Sequence, residues 1–234
     1  MRADRPDSEV DAVVQRYARR VQNDFYSIMR PEVLHAFQER QRAILDLLAR
    51  HVPGLLNRMR LLEIGCGTGA NLLELLRLGF DPSNLVGNEL LPERAAQARH
   101  NLPAATEVHP GDASVLPFAP ASFDIVYQST VFTSLLDDAF QQRLAARMWE
   151  WLRPGGGILW YDFVFDNPRN PDVRGVPLSR IQALFPQGTI DSRRVTLAPP
   201  ISRTVVKFHP AACRWFNALP FLRSHMLCWI RKNP

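Results

Sequence analysis

Three glycines at alternate positions, Gly65, Gly67 and Gly69, follow a short apolar run ending in an acid, in the string LLEIGCGTG at residues 61–69. Glycine lets a backbone turn sharply and approach a ligand closely. Glu63 stands two residues before the first glycine, and Cys66 sits inside the loop as a small side chain. Gly65, Gly67 and Ala70 also satisfy the spacing G-x-G-x-x-G/A, with an acid, Glu89, 20 residues beyond Gly69. That pattern binds dinucleotides, so spacing by itself points to a nucleotide-like ligand and leaves a nicotinamide cofactor open.

The elements that must position this loop are legible around it. Leu61, Leu62 and Ile64 suit a buried strand of a parallel sheet, and ANLLELLRL at 70–78 has helical character. The loop therefore lies at a strand's carboxyl end and a helix's amino end, where such ligands bind. Strand and helix patterns then alternate over 60–64, 70–78, 84–90, 92–101, 106–109, 123–128, 138–152 and 157–163. Alternation of this kind predicts a parallel sheet with helices on both faces. The tail predicts a strand at 189–197, a helix near 208–218 and a last strand at 224–231, with 167–177 as a polar loop. Upstream, Val10, Val13, Val14, Tyr17, Ala18 and Val21 recur at helical spacing, and a second helix is expected from Val33 to Leu48 after Pro31. Pro53 and Gly54 break the chain before the core begins.

Composition narrows the class without choosing a reaction. The 234 residues are 46% hydrophobic and 22% charged, ordinary values for a globular chain with a full core. The start, MRADRPDSEVD, has no apolar signal region, and no stretch reaches the ~18 apolar residues of a membrane span, so a cytoplasmic location is expected. Cys66, Cys213 and Cys228 are too few and too scattered for a disulfide framework, and reduced thiols are expected. The six histidines show no metal-ligand spacing, so no metal is expected. A formal charge of +5 raises the question of nucleic acid. Only Lys207 and Lys232 are lysines, the arginines are scattered among acids, and the pairs Arg19–Arg20 and Arg193–Arg194 are short, which argues against a nucleic-acid partner.

Taken together, LLEIGCGTG, VGNEL at 86–90, GDA at 111–113, FDIVYQS at 123–129 and LRPGGGILWYD at 152–162 resemble the class I S-adenosylmethionine-dependent methyltransferases. The similarity is to the small-molecule type related to the ubiquinone and menaquinone enzymes, and covers residues 61–163. It implies a Rossmann-like, doubly wound α/β sheet of about seven strands, mostly parallel with an antiparallel C-terminal strand, behind an N-terminal helical lid. The expected division is 1–54 for the lid and 55–234 for the S-adenosylmethionine-binding domain. For that cofactor the resemblance implies Glu63 toward the methionine ammonium, the loop Gly65, Cys66, Gly67 and Gly69 beneath the ribose and methionine, and Glu89 on the ribose hydroxyls. Leu90 would pack on adenine, Asp112 and the Ala113 amide would read its edge, and Gln128 would offer its backbone carbonyl to the ammonium.

The fourth strand departs from the relatives. Phe132, Thr133 and Ser134 stand where the quinone-type enzymes often carry histidines, so that base is missing. Tyr161, Asp162 and Asn167 in WYDFVFDNPRNPD, and Tyr26 among the N-terminal aromatics Tyr17, Phe25 and Tyr26, are the remaining catalytic candidates. Asp162 could take a proton from an acceptor hydroxyl or cap a loop, and Phe163 and Phe165 are expected in the core. The implied reaction is methyl transfer to an oxygen or nitrogen of a small metabolite such as a sugar, quinol or natural-product intermediate. Attack on a side-chain carbon of the sulfonium with release of methylthioadenosine is the second reading, and a non-catalytic cofactor-binding protein the third.

Overall fold

The strand Leu61–Ile64, β1, is buried at all four positions, as a strand covered on both faces must be. The computed structural model describes residues 8–19, 27–168 and 170–233, so Phe25, Tyr26 and Arg169 lie outside the described residues. Parallel to β1 run β2 (Leu85–Glu89), β3 (Glu107–Pro110), β4 (Phe123–Ser129) and β5 (Leu152–Phe163). The strands β6 (Thr189–Leu197) and β7 (Arg223–Arg231) complete the sheet in the order β3-β2-β1-β4-β5-β7-β6, with β7 antiparallel to both neighbours. Chain order reverses direction at β1, between β2 and β4, which makes that crevice the switch point of a doubly wound sheet.

Side chains alternate across the strands and build two cores. On one face Leu62, Ile64, Val126 and Trp160 meet Val13 of α1 (Glu9–Ala18), Leu144 of α5 (Asp138–Trp151) and Ile181. On the other, Leu61, Tyr127 and Leu159 meet Leu47 of α2 (Pro31–His51), Leu72 of α3 (Ala70–Arg77) and Ala95 of α4 (Pro92–Asn101). The N-terminal helices thus do two jobs. α2 belongs to a sheet-covering layer and is tied to the edge strand, where the Thr196 amide donates to Glu39 Oε2 at 2.9 Å. α1 packs at the carboxyl ends of the strands.

Several boundaries differ from expectation for local reasons. The helix α7 (Pro199–Val205) was not expected, and the helix expected near 208–218 is the shorter α8 (Ala212–Asn217), which begins only after Pro210 because that proline cannot continue a helix from its predecessor. A short helix, α6 (Leu178–Leu184), follows α5 in this numbering and was not expected. β5 begins five residues before 157: Leu152 pairs with Phe123, and the register then shifts. Phe165, expected in the core, is 52% exposed, since β5 has ended and the chain is already turning outward.

Gly157 lies under the Trp229 indole so closely that an added Cβ would overlap its ring carbons. Its φ is not positive, so crowding alone forbids a side chain. Gly157→Ala is expected to cost about 1–3 kcal/mol of stability, the usual range for overpacking. Urea denaturation reads this directly, and an unchanged midpoint would show that the indole has room to turn.

Candidate active site

At the carboxyl end of β1 the backbone enters the left-handed region three times, at Gly65 (φ 65°), Gly67 (φ 61°) and Gly69 (φ 88°). Gly69 is the N-cap of α3 and has no side chain to offer, so the first turn of that helix keeps its free amides toward the crevice. The loop is stitched to β2: the Cys66 amide donates to the Asn88 carbonyl at 2.8 Å, and the Gly67 amide to Glu89 Oε2 at 2.8 Å. The other oxygen of Glu89 accepts from the Leu91 amide at 3.0 Å. One carboxylate thus fixes the glycine loop to the exit of the neighbouring strand.

These residues open onto a cavity of about 320 Å³, within the range of small-molecule sites. Its floor is the loop 65–68 with Asn71; one wall is Glu89, Leu90 and Leu91 with Gly111, Asp112 and Ala113. The opposite wall comes from the β4 exit, Ser129, Thr130, Val131, Ser134 and Leu135, backed by Phe140 and Leu144 of α5. α1 closes the space with Val10, Val13 and Tyr17, a stripe at positions i, i+3 and i+7. The Arg94 guanidinium lies 5.3 Å over the Tyr17 ring, which joins the lid helix to α4.

α1 is held by a clamp rather than by its own length, ten residues being marginal for an isolated helix. Arg16 donates to Glu9 Oε1 at 2.6 Å and to the Ser134 carbonyl at 3.0 Å, and the same Glu9 oxygen accepts from the Leu136 amide at 2.7 Å. Arg16→Ala leaves the Ser134 carbonyl and Glu9 without their cation at the cavity rim. The expected outcome is a roughly five- to tenfold faster release of cofactor in stopped-flow experiments, about 1–1.4 kcal/mol, with little change in the association rate. An unchanged release rate would show that α1 does not govern exit.

A buried polar chain runs beneath the loop. Arg40 lines the cavity, pairs with Glu74 at 3.3 Å and donates to Asn71 Oδ1 at 3.1 Å; the Asn71 amide in turn donates to Glu63 Oε1 at 2.7 Å. Glu63 is fully buried and its Oε2 lacks a hydrogen-bond partner among the described residues. Burial pushes the Glu63 carboxyl up to about 7, against the pull of the Asn71 hydrogen bond and the Arg40 charge. Its partners make it part of this charged cluster, and no helix end is capped by it.

The other expected site residues divide by strand face. Gly65, Cys66, Gly67, Glu89, Leu90, Asp112 and Ala113 line the cavity, while Glu63, Gly69 and Gln128 stand behind it. Asp112 caps a 3-10 turn, accepting from the Ser114 amide at 2.7 Å and the Ser114 hydroxyl at 2.9 Å. The Gln128 side chain is directed to the following turn, its Oε1 accepting from the Val131 amide at 3.1 Å, and the strand-end residue that lines the cavity is Ser129. Asp162, expected on the rim, is fully buried behind the 3-10 turn 132–134 and accepts from the Thr133 and Phe163 amides, both at 3.2 Å. Burial pushes it up to about 7. Tyr161 points to the opposite core, with its hydroxyl 2.9 Å from Thr196 Oγ1 and its ring stacked on His225. Asn167 lies in the loop beyond β5 and does not line the cavity. The structure adds Arg40, Asn71 and Arg94 to the cavity, together with Thr130, whose φ of 59° is rare for a β-branched residue. The Thr130 amide donates to the Tyr161 carbonyl at 2.8 Å, which holds that turn against the wall.

A family model described as a methyltransferase domain matches residues 61–156, from β1 into the start of β5. Residues 61–156 thus carry a methyltransferase domain of the S-adenosylmethionine-dependent kind. Among curated proteins, the methyltransferase domain is similar to a phthiotriol/phenolphthiotriol dimycocerosates methyltransferase of Mycobacterium ulcerans, 36% identical over 57% of this chain and 48% of that protein. It is also similar to a sterol 24-C-methyltransferase of Aspergillus fumigatus, 28% identical over 53% of this chain and 34% of that protein. The chain thus spans about half the length, or less, of the curated relatives it matches. Among solved structures, an S-adenosylmethionine-dependent methyltransferase of Thermotoga maritima, a possible histamine N-methyltransferase, superposes with a TM-score of 0.62 over 96% of this chain and 99% of that one. At 16% identity that likeness confirms the seven-stranded Rossmann-like fold of the methyltransferase domain. The cavity lies at the β2/β1/β4 switch point of this fold, where doubly wound sheets bind their ligands.

Proposed function

We propose that this chain methylates an oxygen or nitrogen of a small, largely apolar metabolite, with S-adenosylmethionine as the methyl donor. The observation that carries this reading is the Glu89 carboxylate, held by the Gly67 and Leu91 amides at the lip of the cavity. Each carboxylate oxygen has two lone pairs, so both can still accept from paired ribose hydroxyls. The residues present fit the rest of the cofactor. Leu90 and Val13 offer apolar faces to adenine, and Asp112 with the Ala113 amide offers an acceptor and a donor to its edge. Arg40, whose Nε has no partner among the described residues, offers a charged fork to the methionine carboxylate. Asn71, which lines the cavity, bridges Arg40 to Glu63 behind it and so brings the influence of that buried acid to the cavity floor.

Bound there, S-adenosylmethionine supplies an electrophilic methyl group, and the protein's task is to align a nucleophile and exclude water. α1 performs the second part by covering the cavity. The β4 wall performs the first with the hydroxyls of Ser129, Thr130 and Ser134 beside Val131 and Leu135. These hydroxyls orient an acceptor without deprotonating it, because among the described residues neither an imidazole nor a carboxylate belongs to that wall. Such a wall favours an acceptor that is acidic or nucleophilic by itself, as a quinol or phenolic hydroxyl is, over an unactivated sugar hydroxyl.

The test is to incubate the purified protein with S-adenosylmethionine alone and then with phenols, quinols, amines and sugars, identifying products by mass spectrometry. S-adenosylhomocysteine formed only with an acceptor carrying a hydroxyl or amine supports the proposal. Methylthioadenosine released without acceptor overturns it in favour of attack on the side chain. A new carbon–methyl bond in the product would place the chain with the sterol-type relative, and tight binding without turnover in any mixture would make it a binding protein.

A further inference from the structure

The positive charge is shared unevenly along the chain. Residues 192–234 hold eight Lys and Arg and no Asp or Glu, leaving 20 basic against 23 acidic residues in the first 191. The mixing of arginines with acids stops at Asp191.

This acid-free stretch contains the excursion between β6 and β7, made of α7, α8 and a 3-10 turn at Pro220–Leu222. Inside, Leu197, Val205 and Cys213 form a small core of their own. Outside, Phe208, Trp215 and Phe221 are 84%, 77% and 72% exposed. Lys207 and Arg214 are exposed beside them and form no ion pair among the described residues. The excursion is anchored, since Arg223 donates to the Asn217 carbonyl at 2.7 Å and to the Arg194 carbonyl at 2.8 Å. Because β6 and β5 are both antiparallel to β7, β6 runs in the direction of β5. The excursion therefore leaves the sheet at the same edge on which the cavity opens.

Three large aromatics held in water on an anchored scaffold, flanked by unpaired cations, have the chemistry of an interfacial anchor. Aromatic side chains sit at the boundary between headgroups and acyl chains, and basic residues near an anionic leaflet are attracted to it. Nucleic acid would call for more phosphate contacts than two free cations provide, whereas here the apolar groups predominate. We propose that this excursion docks on an anionic phospholipid bilayer, seating Phe208, Trp215 and Phe221 at the headgroup boundary with Lys207 and Arg214 on lipid phosphates. The proposal does not depend on the reaction catalysed in the cavity.

The test uses the full chain with two vesicle types, phosphatidylcholine alone and a mixture of phosphatidylcholine with phosphatidylglycerol, read by co-sedimentation and tryptophan emission. Trp151, Trp160 and Trp229 are buried and Trp149 is half-buried in α5, outside the excursion, so a blue shift on binding reports chiefly on Trp215. Partitioning onto the anionic vesicles is expected to exceed that onto neutral ones about tenfold or more, and to weaken with salt. The triple variant Phe208→Ser, Trp215→Ser, Phe221→Ser should lose at least about tenfold in partitioning, and the pair Lys207→Glu, Arg214→Glu should lose the preference for anionic lipid. Cofactor affinity, measured in parallel, checks that both variants are folded. Absence of sedimentation overturns the proposal, as does binding that the aromatic variant leaves intact. Binding of an RNA oligonucleotide, or self-association, that these substitutions abolish while vesicles stay unbound would also overturn it.

Discussion

Glu89→Ala raises the dissociation constant for S-adenosylmethionine about 100-fold while the sheet stays folded. The size follows from the residue's double duty. Its two oxygens fasten the Gly67 and Leu91 amides, and the proposed ribose contacts use the same oxygens. Hydrogen bonds to a charged group contribute roughly 1.5–3 kcal/mol each, and ~2.7 kcal/mol corresponds to 100-fold. Loss of the carboxylate removes the ligand contacts and also lets the loop drift from the β2 exit, so affinity suffers twice. Glu89→Gln separates the two effects: one carbonyl oxygen can still hold one amide, while the new NH₂ group faces the other, and an intermediate loss is expected. Isothermal titration measures all three proteins. Unchanged affinity in Glu89→Ala would sink the assignment of this carboxylate to the ribose.

Arg40→Met destabilises the fold by about 3–5 kcal/mol at pH 8, the usual penalty for removing one partner of a buried ion pair. Glu74 then loses its cation at 3.3 Å, and Asn71 no longer links Glu63 to positive charge. The effect depends on pH with a definite sign. Burial raises the Glu63 carboxyl from 4.5 to about 7, so in the parent protein its favourable contribution is present below about 4.5 and is lost as pH rises toward 7. Without Arg40 the ionised form is still less favourable, and the window of loss extends above 7. The gap between parent and variant should therefore narrow as pH falls from 8 to 5, where the acid is protonated in both. Urea denaturation across that range checks it, and a gap independent of pH would mean that the Arg40 stem, and not its charge, is what the core needs.

The fold was legible where period and punctuation agree. The apolar runs at 61–64 and 123–129 could only be buried strands, and the glycines after Ile64 marked a carboxyl-end turn that the structure contains at Gly65, Gly67 and Gly69. The cavity residues of that loop and of the β2 exit, Glu89 and Leu90, followed from the family resemblance that the motifs carry. What could not be read was facing. Along β5, Trp160 and Asp162 share one side and Tyr161 the other, and nothing in WYDF tells which side a ligand meets once the strand ends. Asp162 consequently turned out to serve the turn at Thr133. Arg40 was hidden for a different reason: it sits 23 residues before Glu63 in an amphipathic helix rich in arginine, and only the packing of α2 against the sheet brings it to the cavity. The shifted start of β5 is a tertiary adjustment of a few residues that local patterns do not encode.

The place of β7 between β5 and β6, both of which precede it in the chain, bears on how the protein is made. A ribosome releases β6 some 25 residues before β7 begins, an interval of roughly 1–5 s at ordinary elongation speeds. Throughout it, β5 offers the bare edge of Leu159 and Trp160, and β6 has no strand to join. An unpaired apolar edge is what draws other chains and chaperones. Slow codons between 198 and 222 would lengthen that exposure, so the yield of soluble protein should depend on translation speed there more than in the stretches that encode β1 to β4.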